Sequence, residues 1–378
     1  MGVYDRERAK EHIAELACRG EGLVTFWRES TEVLRRTLPH YWTPCWFTLD
    51  PVSLLITSHF HEGLAEIPSD WLAQEYYDDD VNQLADVARS QRGVSTLHDA
   101  TGGDPSGSRR WQRNMTVGGD QEMISALRTP AGDVWGALGV YREPGQPMFD
   151  RDDIEFVGAL APLFAEGARR ALLIGEATDP EGPQSPGLVV LSADWDVESL
   201  TPGVDRWLSE LCDGDWDGGR LPSSVQAVAG RALRAAETRE GPNEIAIARV
   251  LSRSGTWVVL HGAALVANGS RRVAVIIEPA HPARISELLM SAYGLTDREQ
   301  DVTRLVLQGD STAQIAGRLV VSPHTVQQHL KSVFEKTGVR SRRELVGKVF
   351  FAHYEPRVRD NERRALSEQP VRGGPFPA

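Results

Sequence analysis

Between residues 295 and 345 the chain reads LTDREQDVTRLVLQGDSTAQIAGRLVVSPHTVQQHLKSVFEKTGVRSRREL, and its start and stop signals leave room for little but short helices. Thr296 and Glu299 make a T-x-x-E capping box, in which each side chain satisfies an orphan N–H at the helix start. Val302, Leu305 and Val306 then fall three and four apart, the spacing of one buried helical face. Gly309 stops that helix. Ser311 and Gln314 repeat the box, Ile315, Ala316 and Leu319 give the next apolar face, and Val320-Val321 form a short turn. Ser322 caps a third helix, with Pro323 at its first position, where a missing N–H costs nothing. Val326, Leu330, Val333 and Phe334 face inward, leaving Thr325, Gln327, Gln328, His329, Ser332 and Lys336 nearer the outer face. Gly338 ends the helix, and Ser341 starts a fourth through Leu345, Val346 and Val349.

Two short helices joined by a tight turn, the second rich in polar side chains, can dock in a major groove. The charge fits modestly. Residues 290–354 carry nine Lys and Arg against six Asp and Glu, about +3, which leaves about −15 for the rest of a chain of net charge −12. A positive module in an acidic protein suits a part that alone meets phosphate. An ordinary helical subdomain would show the same spacing without a nucleic-acid role.

Leu295-Thr296, Arg298-Glu299, Gly309, Ile315-Ala316, Leu319, Ser322, Thr325-Val326, His329, Val333, Lys336 and Gly338-Val339 together resemble the C-terminal DNA-binding domain of LuxR-type (GerE/NarL-type) transcription regulators. The resemblance implies an all-α four-helix helix-turn-helix domain over 290–354. Its scaffold helix would be 311–319, its recognition helix 322–336 and its dimerisation helix 341–352. The DNA-binding residues would be Ser322, His324, Thr325, Val326, Gln327, His329, Lys331 and Lys336. Thr325 and His329 look like phosphate contacts, Val326 an apolar contact to a base edge or methyl group, and Lys331 and Lys336 neighbours of the backbone. Gln327 departs from the pattern, since the family usually has Lys there. Gln can pair bidentately with adenine, but it gives up one phosphate-neutralising charge, so the salt slope should be weaker. The alternative for Thr325 and His329 is a solvated helix face.

The remainder reads as multidomain α/β. A first unit, 22–175, opens with a helix over 25–38 and continues with strand-like runs at 41–49 and 54–60. Helical stretches at 71–77 and 81–90 follow, then paired strands at 121–128 and 134–141 across a Pro130-Ala131-Gly132-Asp133 turn. A long amphipathic helix over 150–174 closes it. That order resembles a GAF sensor domain. Residues 176–186 are a linker by their Pro, Gly and acidic content. A second unit, 187–279, offers a hairpin at 188–191 and 196–199, helices at 204–211 and 223–237, and strands at 245–251, 256–265 and 272–277. It resembles a PAS-like sensor fold, with an unnamed α/β dimerisation domain as the alternative. Residues 281–293 lead into the helical unit, and 355–378, rich in Arg, Pro and Gly, reads as a disordered tail.

Other chemistry is weak. Asp213, Asp215, Asp217 and Gly218 copy the start of a calcium loop, but the twelfth position is Ser224 rather than Glu, so a polar turn is the better reading. His59 and His61 share one strand face with no third ligand, which favours a core-edge role. Trp42, Trp46, Trp71, Trp111 and Trp135 suit a pocket or ordinary core equally. Cys18, Cys45 and Cys212 are scattered, which argues against zinc. No P-loop and no phospho-receiver pattern appears, and no cofactor is implied. No run of eighteen apolar residues and no signal-peptide core occurs.

The expected function is that of a cytoplasmic, dimeric, sequence-specific transcription regulator acting on double-stranded DNA. A small-molecule effector in one sensor domain would set its operator affinity, and no membrane is involved. The alternatives are a quorum-sensing-type autoinducer-responsive regulator and a protein-interaction module with a degenerate DNA-binding domain. An enzyme is disfavoured, because the sequence offers no nucleophile–base pair and no metal cluster.

Overall fold

The structure, a computed structural model, describes residues 3–63, 70–173, 186–211, 213–214, 216, 219–237, 246–267, 270–280 and 282–353. They form an α/β unit, which ends at Pro279, and a helical unit, made chiefly of the residues from Ala280 onward and grouped with the short stretch Ser254–Trp257.

The α/β unit holds two five-stranded sheets. The first contains β1 (Cys45–Leu49), β2 (Ile56–Phe60), β3 (Val94–Thr96), β4 (Gln121–Arg128) and β5 (Val134–Arg142). Their order is β2-β1-β5-β4-β3, antiparallel throughout. Alternation along β1 sends successive side chains to opposite faces. Trp46 goes to the face covered by α1 (Val3–Cys18), α2 (Leu23–Thr37) and α7 (Arg151–Leu173). There it stacks on Trp27 at 4.4 Å, meets Phe164 edge-on at 4.9 Å and donates its indole N–H to Thr31. Cys45, Phe47 and Leu49 go to the other face, in one core with Ala85 and Val87 of α4 (Leu84–Arg89).

Strand starts depart from the sequence reading for local reasons. β1 begins at Cys45 rather than at residue 41, after Pro44, which has no N–H for a ladder. β2 waits until Ile56 because Leu54 takes a left-handed φ of 58° in a turn closed by Leu54 N to Asp50 O at 2.7 Å. Asn82, at φ 61°, likewise delays α4 to Leu84. The helices α3 (Trp71–Tyr77) and α7 and the pair β4–β5 lie where the pattern places them. The short elements β3, α5 (Leu97–Ala100) and α6 (Arg109–Thr116) had no sequence signal.

The second sheet contains β6 (Gly187–Ser192), β7 (Val197–Leu200), β8 (Ile247–Leu251), β9 (Trp257–Ala267) and β10 (Ser270–Pro279). Its order, β7-β6-β10-β9-β8, repeats that of the first sheet strand for strand. Two helices sit in its connection, α8 (Val204–Glu210) and α9 (Ser223–Glu237). The first eleven residues of α9, Ser223 to Leu233, are all buried, and many are Ala, Gly or Ser. Small residues let backbones close in. A Cβ on Gly230 would lie 2.0 Å from the Ala73 carbonyl oxygen of α3, and one on Gly262 of β9 would lie 2.8 Å from the Val228 carbonyl oxygen. α9 is thus pressed between the second sheet and α3, and one apolar core runs across both sheets. Two carboxylates, buried Asp50 and half-buried Asp213, lock the halves together. Asp50 accepts from the Arg249 amide at 2.9 Å and from its guanidinium at 2.8 Å, and Asp213 accepts from the His59 amide at 2.6 Å.

The helical unit contains α10 (Pro282–Ala292), α11 (Asp297–Leu307), α12 (Thr312–Leu319), α13 (Pro323–Thr337) and α14 (Arg342–His353). Its core joins Val302, Val306, Ile315, Leu330, Val333 and Leu345. Residues 281–293, read from sequence only as a lead-in, contain the helix α10. Among the described residues no helix is long and apolar enough to cross a membrane.

Candidate nucleic-acid interface and a buried cavity

The caps read from the sequence form. Glu299 Oε2 accepts from the Thr296 amide at 2.8 Å, and Gln314 Oε1 from the Ser311 amide at 2.8 Å. Ser322 Oγ accepts from the Thr325 amide at 3.0 Å and shares a 2.8 Å hydrogen bond with the Thr325 hydroxyl. Between α12 and α13 the turn passes through Val320, left-handed at φ 54° and 89% exposed. A β-branched residue there is strained, so the turn is held by its flanking helices rather than by its own residue.

Glu299 ties α11 to α13. Besides capping its own helix, it accepts from Ser332 at 2.5 Å and from Lys336 Nζ at 2.6 Å. Burial alone would raise its carboxyl, but the bonds from Lys336, Ser332 and Thr296 outweigh that and bring it to about 2.

The candidate contacts divide on one helix. Ser322, His324 and Gln327 are exposed, and Thr325 and His329 are half-buried. His324 pairs with Gln328 at 3.2 Å along the outer face. Lys331 is exposed, with Glu335 no nearer than 3.9 Å. Two residues do not fit their expected roles. Val326 is 0% exposed inside the helical core, so the inward-facing half of its reading holds and it has no surface to offer a base. Lys336 spends its charge on Glu299, a partner 37 residues away that helical spacing could not reveal.

A second candidate site, which sequence reasoning missed, lies against β1 and β5. A cavity of about 280 Å³ is bounded by these strands, by α3 and by α6. Its aromatic wall includes Tyr41, Trp42, Phe47 and Tyr141, with Trp42 5.2 Å from Tyr141. At its base Arg110 of α6 bridges Glu75 of α3 and Glu122 of β4, donating Nε to Glu122 at 2.5 Å and Nη1 to Glu75. Glu122 also accepts from Asn82 at 2.8 Å and Asn114 at 3.3 Å, and Glu75 from the Leu84 amide at 2.6 Å. Burial raises Glu75 above the usual carboxylate range, with Arg110 and the Leu84 amide pulling it back. Three charged residues so far apart in sequence leave no local pattern. Of the tryptophans singled out in the sequence, Trp42 and Trp71 line the cavity, Trp46 and Trp135 belong to the buried core, and Trp111 donates to Asp120 at 2.9 Å.

His59 reaches the same cavity. Its ring stacks on Phe47 at 4.5 Å and lies 4.9 Å from that of His61. Burial, with His61 beside it, lowers its pKa to about 3. Its Nε2 is buried without a hydrogen-bond partner. Asp213 of the supposed calcium loop is committed to the His59 and Ser223 amides, while Asp215, Asp217 and Gly218 lie outside the described residues. Among the described residues no group of three His, Cys, Asp or Glu could hold a metal ion.

Residues 294–349 match the model of the luxR family of bacterial regulatory proteins. Over 52 residues the chain is 56% identical to Rv0890c of Mycobacterium tuberculosis, named as an HTH-type transcriptional regulator, a stretch covering 14% of this chain and 6% of that protein. It is 39% identical over 66 residues to the HTH-type transcriptional regulator MalT of Serratia proteamaculans, covering 18% and 7%. It is 35% identical over 65 residues to the transcriptional regulatory protein DesR of Bacillus subtilis, covering 17% and 33%. The chain thus spans a third or less of the length of these relatives. The crystal structure of Escherichia coli SdiA aligns over 91% of this chain and 96% of that one, but at 11% identity and a TM-score of 0.31 the likeness carries no argument.

Proposed function

Since residues 294–349 are a luxR-family regulatory domain, we propose that the chain is a sequence-specific DNA-binding transcription regulator rather than an enzyme. The observation that carries this is α13, whose apolar side closes the core while Ser322, His324 and Gln327 stand exposed at its N-terminal half. The N-terminal residues of a recognition helix are those that meet base edges. Thr325 and His329 contact phosphate, Gln327 reads a base, and Lys331 supplies backbone charge. Lys336 holds α13 to α11 through Glu299 and contributes to DNA only indirectly. The fourth helix, 341–352, pairs two copies, and the regulator works in the bacterial cytoplasm.

Domain limits follow the sequence reading: a GAF-like sensor over 22–175, a PAS-like one over 187–279 and the DNA-binding domain over 290–354. The repeated strand order of the two sheets supports taking them as a pair of related sensor folds. An effector acts by binding two states of the α/β unit unequally, which shifts operator affinity by the same free energy.

Genome-wide selection of DNA fragments by the full chain tests this, with the double variant Thr325→Ala/His329→Ala as control. The expected result is an inverted repeat with half-sites about one helical turn apart, lost in the variant. Equal recovery by both proteins sinks the proposal and leaves a protein-interaction module.

A further inference from the structure

We propose that the cavity against β1 and β5 is a ligand site for an uncharged aromatic molecule of one or two rings that carries an oxygen acceptor. This deepens the sensor reading above by naming what the first sheet's domain would sense.

Size and shape set the first limit. At about 280 Å³ the space sits near the lower end of small-molecule sites, which begin at about 300 Å³. Tyr41, Trp42, Phe47 and Tyr141 offer ring faces and edges, which favour a flat apolar body.

Charge sets the second limit. Glu75 and Glu122 face a single Arg110, and Arg113, which also lines the space, is matched by Asp78 at 3.1 Å. Both cations at the base are therefore already committed to carboxylates, which leaves no free charge to neutralise a ligand carboxylate or phosphate. A cation finds the carboxylates out of reach: the Glu122 side chain is 1% exposed and the Glu75 side chain 7%, and each already accepts from two or more donors. Two nitrogens near the base lack a partner among the described residues. The third guanidinium nitrogen of Arg110, Nη2, has no hydrogen bond among the described residues, and neither does the buried Nε2 of His59. Arg110 gives a donor. Neutral His59 gives a donor or an acceptor according to its tautomer. A hydroxyl satisfies both, and a carbonyl satisfies the first.

The test uses three probes on one ring system: indole-3-ethanol, indole-3-acetate and tryptamine. Each is titrated into the full-length protein and followed by ligand-detected saturation-transfer NMR and by the melting temperature. The alcohol is expected to bind about tenfold more tightly than either charged probe and to move the ring resonances of His59. Leu72→Trp, which fills the space from α3, should abolish binding, and Leu72→Phe should weaken it should the larger change not fold. Tighter binding of tryptamine or of the acetate, or no saturable binding by any of the three, overturns the inference. DNA retention is measured on the same samples, so a failed ligand site with intact retention leaves the regulator reading standing.

Discussion

The two sheets of the α/β unit share a strand order and differ in what lies on one face. Over the first, α3 and α6 stand far enough from β1 and β5 to leave a cavity floored by a buried charge triad. Over the second, α9 lies flush, with Gly262 close enough to Val228 that not even a Cβ would fit between them. Topology does not decide whether such a fold keeps a site. Side-chain size does: bulky and charged residues on α3 and α6 hold the first sheet's helices off, and Ala and Gly on α9 let the second collapse. Large polar groups inside a wall are stable only when paired, so the open face goes with a buried ionic network.

The strongest way to break this contrast is Arg110→Ala. It strands two buried carboxylates and should cost about 3–5 kcal/mol, read as a lower urea midpoint for the α/β unit. A midpoint within error of wild type would mean that the triad does not hold the open face. Next comes a matched pair of enlargements. Val228→Phe on α9 should cost about 1–3 kcal/mol, because the flush face has no room, while Leu72→Phe at the cavity wall should cost less than about 1.5 kcal/mol. Equal losses would erase the distinction. At neutral pH the smallest effect is that of His59, which shows only as the pH falls. Folded His59 stays neutral down to about 3, while the unfolded chain takes up a proton there below 6.5, so stability falls as pH drops through that window. In His59→Phe that part of the slope should vanish, with stability near pH 8 little changed. A slope identical to wild type would mean that His59 is not sealed as described.

The helical unit was the more legible part. Thr296, Ser311, Ser322 and Gly338 act within a few residues of themselves, so their sequence spacing is already their geometry. The outer face of α13 followed from periodicity, but the ion pair of Lys336 with Glu299 did not, since it joins helices through space. In the α/β unit the helices α2, α7 and α9 and the β4–β5 hairpin were legible for the same local reason, whereas α1 was not read as a helix. β3, with three residues, and α5, with four, are too short for any period to register. The cavity was hidden because its base draws Glu75, Arg110 and Glu122 from three separate elements. The one hint was a charged Glu122 just before the largely apolar run Met123 to Leu127, legible in hindsight as a buried charge in want of a partner.

α3 has only seven residues, yet it carries two duties. Trp71, Leu72 and Glu75 line the cavity, while the Ala73 carbonyl abuts Gly230 of α9 so closely that no larger residue fits. Such a helix has little freedom to drift in evolution. Among descendants of this architecture, position 230 should stay glycine for as long as the crossing persists. Lineages that lose it should be those in which the residues around 75, 110 and 122 have changed as well, since a shifted α3 would spoil both arrangements together.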